Sequence, residues 1–201
     1  MRKAQIKRKT KETDITVQLN IDGSGKVKLK TPIGILNHML ELFAFHGLFD
    51  LDITAKGDYK KIDIHHTNED IGIVLGQAFK KALADKKGIK RFSWASVPME
   101  EVLANVVIDI SGRGYFKLNT KKGALTPKVQ DGYAFSDCLH LLESFAKNLG
   151  MNLNITVDPL SLDLHTNLEP IFKALGRALD QATQIEPRRK GIPSTKGIID
   201  P

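Results

Sequence analysis

The chain repeats itself, and the repeat limits its fold more than any other feature. His38-Met39-Leu40-Glu41 returns as His140-Leu141-Leu142-Glu143, and Phe43-Ala44 as Phe145-Ala146, both 102 residues later. Leu51-Asp52-Ile53-Thr54 returns as Leu153-Asn154-Ile155-Thr156 at the same offset, and His65 and Glu69 return as His165 and Glu169 at an offset of 100. Order and spacing are kept together, as an internal duplication requires. In the first copy Ile15, Val17, Leu19 and Ile21 alternate with polar residues. Asp22-Gly23-Ser24-Gly25 then turns the chain into Lys26-Val27-Lys28-Leu29-Lys30, which predicts a hairpin with its lysines on the wet face. Ile35, Leu36, Met39, Leu40 and Phe43 follow helical spacing up to a stop at Gly47. Phe49, Leu51, Ile53 and Ala55 alternate as a half-buried strand, and Ile71, Val74, Leu75, Ala78, Phe79 and Leu83 make a second helix.

The second copy keeps this order. Val102 to Ile110 and Tyr115 to Leu118 are strand-like, with Ser111-Gly112-Arg113-Gly114 between them. Leu139, Leu142, Phe145 and Ala146 make a helix, Met151 to Val157 alternate, and Ile171, Leu175, Ala178 and Leu179 make the last helix. The expected fold class is therefore α+β, an internally duplicated β-β-α-β-α unit. Each half has an amphipathic helical layer to cover, so the helices of the two halves are expected to pack together. No Pro/Gly/Ser-rich linker separates the copies. One domain over 1–201 is expected, with repeat 1 at about 10–92, repeat 2 at about 93–183 and an extended tail over 184–201.

Charge and cysteine content narrow the function. The net charge of +7 is concentrated at the ends, with +6 in residues 1–30 and +2 in residues 186–201. The alternation of the N-terminal stretch makes its lysines a solvated strand face rather than a nucleic-acid surface. No apolar run approaches the ~18 residues a membrane span needs, and the N-terminus carries no apolar signal region. The single cysteine, Cys138, excludes an internal disulfide and fits a reducing compartment, so a cytoplasmic location is expected.

The six histidines carry the chemistry. His38 and His140 lie on equivalent helices, and Asp63-Ile64-His65-His66-Thr67-Asn68-Glu69-Asp70 opens the second helix of the first half. His65 and Glu69, and again His165 and Glu169, are four residues apart and can share a helix face. A lone helix histidine is ordinarily a satisfied core or surface residue, and a lone first-turn glutamate can simply complement the helix dipole. Their recurrence in matched places points instead to mixed imidazole and carboxylate ligand sets for Mn, Fe, Zn, Co or Ni. Cys138 reads as a small buried residue rather than a ligand.

At these residues the sequence resembles the imidazoleglycerol-phosphate dehydratase family. The resemblance runs from Thr10-Lys11-Glu12-Thr13 to Pro193-Ser194-Thr195-Lys196-Gly197. Between them lie Leu36-Asn37-His38-Met39-Leu40, His46-Gly47-Leu48-Phe49-Asp50, His65-His66-Thr67-Asn68-Glu69-Asp70, Ser111-Gly112-Arg113, Phe172-Lys173-Ala174 and Pro187-Arg188-Arg189. It implies a duplicated fold like the second domain of ribosomal protein S5. It implies a homo-oligomeric, 24-subunit assembly with two Mn2+ ions per active site at subunit interfaces. The implied reaction is a lyase step of histidine biosynthesis, the dehydration of imidazoleglycerol phosphate to imidazole-acetol phosphate. The implied metal ligands are His38, His65, His66, Glu69, His140, His165 and Glu169. Glu12, His46 and Glu169 are the implied catalytic groups. Arg91, Arg113, Lys173, Ser194, Thr195 and Lys196 fall where the family binds the substrate's phosphate.

The match has departures. The family's second motif carries two adjacent histidines, but His165 is followed by Thr166, and a threonine hydroxyl is a poor ligand beside imidazole. One of the two metal sites is therefore expected to be incomplete. Ile64 replaces a usual aspartate, Gly114 a usual proline, and Pro170 stands where alanine is common, at a position that the motif spacing puts in a first helical turn. These changes leave an alternative, a catalytically impaired or non-catalytic metal-binding relative.

Overall fold

A computed structural model describes residues 2–58 and 62–199. The first half contains strands β1 (Lys3–Lys9), β2 (Thr13–Asn20) and β3 (Val27–Lys30), helix α1 (Gly34–His46), strand β4 (Asp50–Gly57) and helix α2 (His65–Leu83). The second half repeats this as β5 (Phe92–Met99), β6 (Val102–Asp109), β7 (Tyr115–Asn119), α3 (Phe135–Leu149), β8 (Asn152–Asp158) and α4 (Leu164–Thr183). The duplicated α+β plan is as expected, with one further strand opening each half. Those strands break the alternation rule. β1 is mostly charged, and β5 buries Ser93 and Ala95 while Trp94 stands 71% exposed.

The two sheets have the same topology, β1-β2-β4-β3 and β5-β6-β8-β7. The expected hairpin is not formed. β2 pairs antiparallel with β4, and β3 pairs with the far edge of β4 in parallel. The cause is α1, which makes β3-α1-β4 a crossover unit, so its two strands run parallel. Asp22–Gly25 spans the end of β4 instead of turning back. Asp50 Oδ1 accepts from the Ser24 and Lys26 N–H groups at 2.9 and 3.2 Å, which fixes the crossing. Alternation of side chains is the same whichever strand lies alongside, so it could not reveal this. The lysines of β3 and its approach are exposed, as expected.

The helices form two inner layers between the sheets. α2 lies on β1 and β2 and against α3, while α4 lies on β5 and β6 and against α1. Phe43, Phe49, Phe79 and Phe145 meet at the centre with ring centroids 5.0 to 6.2 Å apart. Each is at most 1% exposed, and such burial stabilises by about 1.5–3 kcal/mol per ring. The layers can touch because of glycines. A Cβ on Gly76 would lie 2.6 Å from Phe145 O, and one on Gly176 would lie 2.3 Å from Phe43 O. These two glycines are related by the duplication, and each lets one half's helix approach the other's backbone.

The start of α4 differs from expectation. The helix starts at Leu164 with Asp163 as its cap, so Pro170 lies beyond the first turn. Its missing N–H leaves the Thr166 carbonyl without the usual bond four residues on. Among the described residues, no helix is long and apolar enough to cross a membrane.

Candidate metal centres and anion pocket

Helix pairing across the halves builds two matching groups of side chains. α1 and α4 bring His38, His165 and Glu169 together, and α2 and α3 bring His65, Glu69 and His140 together. Each group offers two imidazoles and one carboxylate with ligand atoms within 4.8 Å of one another. In each, the histidine–glutamate pair is one helical turn apart on one helix, and the second histidine comes from the other half. The rings stack, His38 on His165 at 5.1 Å and His65 on His140 at 4.5 Å. The donor chemistry fits a divalent transition metal.

The two triads differ in what surrounds the carboxylate. Glu169 Oε2 accepts from His165 Nε2 at 2.8 Å and stands 3.7 Å from His38 Nε2, and its Oε1 accepts from Lys173 Nζ. Burial pushes the Glu169 carboxyl up, but the Lys173 ammonium and His165 outweigh it and hold it below the usual range. In the second triad Glu69 is 3.9 Å from His65 Nε2 and 4.0 Å from His140 Nε2, with no hydrogen bond to either. Its side chain is 39% exposed, against 15% for Glu169.

His66, the remaining expected ligand, stands outside both triads. Its Nδ1 lies 3.1 Å from Asp58 Oδ2 and 3.9 Å from Glu12 Oε2. The hydrogen bond to Asp58 raises its pKa. Thr166, the residue at the equivalent place, is committed to capping. Its N–H and its hydroxyl both donate to Asp163 Oδ1 at 2.8 Å. Both triads therefore form without positions 66 and 166. His46 is half-buried at the end of α1. Burial, then the charges of Lys173 and Arg177, hold its pKa below the ordinary value, so it is neutral near pH 7. Burial also pushes the Cys138 thiol up, and it belongs to neither triad.

A cavity of about 310 Å3 gathers most of the phosphate set. Arg91, Arg113, Ser194, Thr195 and Lys196 line it, together with Ser111, Ile198 and Ile199. Arg91 is braced at 2.7 Å by Asp109 and donates from Nη1 to Pro193 O at 2.8 Å, which seats the tail against it. Its backbone is left-handed, with φ of 77°, held by Arg91 N–H to Ala182 O at 2.8 Å and Ile110 N–H to Arg91 O at 3.1 Å. Among the described residues, the exposed side-chain cations of Arg113 and Lys196 have no partner, so their charge is available to an anion. Lys173 is not in this cavity, since it is bound to Glu169. Sequence reasoning did not single out Ser111; its place beside Arg113 in the resemblance was the available signal. A larger hollow of about 560 Å3, lined by residues including Lys3, Gln18, Lys28 and Asp52, lies on the first sheet and contains none of the expected site residues.

The family model for imidazoleglycerol-phosphate dehydratase matches residues 31–179. The enzyme of that name from Thermoanaerobacter pseudethanolicus is 51% identical over 199 residues, covering 99% of this chain and all of that protein. Its counterpart from Bacillus subtilis is 51% identical over 200 residues, with 99% and 100% covered. The crystal structure from Pyrococcus furiosus superposes with a TM-score of 0.80 at 35% identity, covering 96% of this chain and 99% of that one. The Staphylococcus aureus structure gives 0.79 at 33% identity, with 92% and 99% covered. The chain belongs to the imidazoleglycerol-phosphate dehydratase family.

Proposed function

We propose that this chain is a hydro-lyase of histidine biosynthesis that removes water from imidazoleglycerol phosphate to give imidazole-acetol phosphate. The observation that carries this reading is the pairing of two His-His-Glu triads with a cationic pocket. His38, His165 and Glu169 would hold one Mn2+, and His65, Glu69 and His140 the other. Bound there, the metals would act as Lewis acids on the imidazole and the departing hydroxyl. Arg113, Lys196 and Ser194 would hold the phosphate, with Arg91 fixing the tail that carries the last two. His46, kept neutral by its surroundings, is suited to accept a proton near pH 7. Glu12 and Glu169 are the carboxylates suited to move one.

None of the triad residues lines the anion pocket. This supports a site in which the two ends of the substrate are held by different copies of the chain, as the 24-subunit assembly implied by resemblance would allow. His66, held through Nδ1 by Asp58, would then offer its Nε2 to a neighbouring copy, and Thr166 would leave one triad without that extra donor. The alternative, an impaired relative, rests on Thr166 together with Ile64 and Pro170. Purified protein supplied with substrate and Mn2+ should form imidazole-acetol phosphate. No product with any of Mn2+, Zn2+, Co2+ or Fe2+ would overturn the reading.

A further inference from the structure

We infer that Lys173 is a placeholder cation that makes the two triads unequal, so that a divalent metal fills His65/Glu69/His140 first and must displace the Lys173 ammonium to enter His38/His165/Glu169. The inference rests on the metal-binding part of the proposed function and extends it to the order of loading.

The duplication sets the two triads side by side. An offset of 100 relates Glu69 to Glu169, and the same offset relates Ile73 to Lys173 and Gln77 to Arg177. At 102, His46 is related to Asn148. The triad carrying Glu169 thus has Lys173, Arg177 and His46 around it, and the triad carrying Glu69 has Ile73, Gln77 and Asn148. Gln77 and Asn148 face each other at 3.4 Å without charge. Lys173 and Arg177 both act electrostatically on His46, so the cations do share one neighbourhood.

Occupancy divides in the same way. Both oxygens of Glu169 are already accepting, one from His165 and one from Lys173. A metal entering there must break the ammonium contact and then sit beside a displaced positive charge in a half-buried place, where such repulsion is poorly screened. Glu69 accepts from nothing in its triad, and its three donors stand open with 3.9 and 4.0 Å between carboxylate and imidazoles. A metal there displaces only water. Lys173, once freed, becomes a cation available to an anionic ligand, which reconciles its distance from the anion pocket with its place in the phosphate set.

The test is metal binding itself, which does not depend on turnover. Metal-stripped full-length protein is titrated with Mn2+, with binding read by calorimetry and by the free-ion paramagnetic resonance signal. Wild type should bind in two classes at least tenfold apart. His140→Ala should remove the tighter class and His38→Ala the weaker. Lys173→Met, which keeps the alkyl stem, should tighten the weaker class at least tenfold and leave the other unchanged. Ile73→Lys should weaken the tighter class by a similar factor, which covers the case that Lys173→Met fails to fold. A weaker class unmoved by Lys173→Met, a tighter class unmoved by Ile73→Lys, or a tighter class lost with His38→Ala overturns the inference alone. Absence of Mn2+ binding to wild type would overturn the metal reading with it.

Discussion

The two halves share one backbone plan, yet among the described residues the cavity lined by Arg91, Arg113 and Lys196 belongs to the second. Ile21 N–H donates to Arg2 O at 3.0 Å, and Ile110 N–H donates to Arg91 O at 3.1 Å, so Arg2 and Arg91 hold corresponding places. The connection after β2 then begins Asp22-Gly23-Ser24, and the one after β6 begins Ser111-Gly112-Arg113. In the first half Asp22 takes the arginine for itself, accepting from Arg2 Nε at 3.1 Å and from its backbone N–H at 3.0 Å. In the second half Arg91 is held from the side by Asp109, and Ser111 puts no charge into the cavity. Serine stands where the second cation would be needed, at Ser24. The exits from the two long helices differ too. The chain beyond α2 runs into β5, whereas the chain beyond α4 folds back and supplies Ser194 and Lys196. Duplication set the frame, and a handful of side chains together with the tail folded back beside them give the second copy its cationic cavity.

The change that would break what the halves share should have the largest effect. Gly76→Ala puts a Cβ 2.6 Å from Phe145 O and 2.8 Å from Asn148 Cβ, so α2 and α3 must part. We expect a loss of about 1–3 kcal/mol in urea unfolding, the usual range for overpacking. The second triad, which spans the same two helices, should lose metal affinity in parallel. Gly34→Ala is the control, because nothing lies within 4 Å of its added methyl group, and its stability should change by less than about 1 kcal/mol. Equal melting midpoints for the two variants would mean that close helix approach is not what the crossing glycine provides.

How much of this was legible in the sequence depends on what each signal measures. Periodicity reports which face of an element is buried, and it places α1 to α4, β2, β4, β6 and β8. It is silent on neighbours, so the hairpin expected of β2 and β3 is wrong although their buried faces are right. It fails outright at β5, where Ser93 is inside and Trp94 outside. The duplication makes five histidines suspect, and four of them meet in two triads. It cannot tell that His38 joins His165 rather than His65, because that depends on which helices cross. The motif around Lys173 marks it as a phosphate ligand, and only its one-turn spacing from Glu169 hints at the partner it has here. The cap role of Thr166 needs the helix start, which lies before the motif.

A change that makes the second half resemble the first should come next in size. Ser111→Asp places a carboxylate at a buried position in the lining of the cavity shared with Arg91, Arg113 and Lys196. The new side chain can still accept from Asn152 Nδ2 and the Arg113 N–H, which now donate to Ser111 Oγ at 2.8 and 3.3 Å, but it loses the donation from Ser111 Oγ to Arg113 O at 3.1 Å, so the unfolding midpoint is measured beside the affinity. A like charge facing a bound anion should cost at least tenfold in phosphate affinity. Titration with inorganic phosphate, before and after the substitution, measures this. Unchanged affinity would mean that the anion is not held here.

The smallest effect should come from undoing the first half's internal pair. Asp22 is held below its ordinary value of 3.8 by the hydrogen bond from Arg2, partly opposed by burial. Its unfolded form therefore takes up a proton more readily than its folded form. The stabilisation is fully present above the unfolded value and is lost as pH falls through the folded one. Both partners are partly exposed, 24% for Arg2 and 40% for Asp22, so the pair contributes no more than about 1 kcal/mol. Asp22→Asn should be less stable than wild type by that amount or less at pH 7, and the two should converge as the pH falls through the folded-state value of Asp22 and its carboxylate is neutralised. The variant should also bind no additional phosphate, because freeing Arg2 supplies one cation without the second and without a tail. A gain of one phosphate per chain on this substitution would mean that Asp22 alone separates the halves, and that neither Arg113 nor the tail is needed to hold the anion.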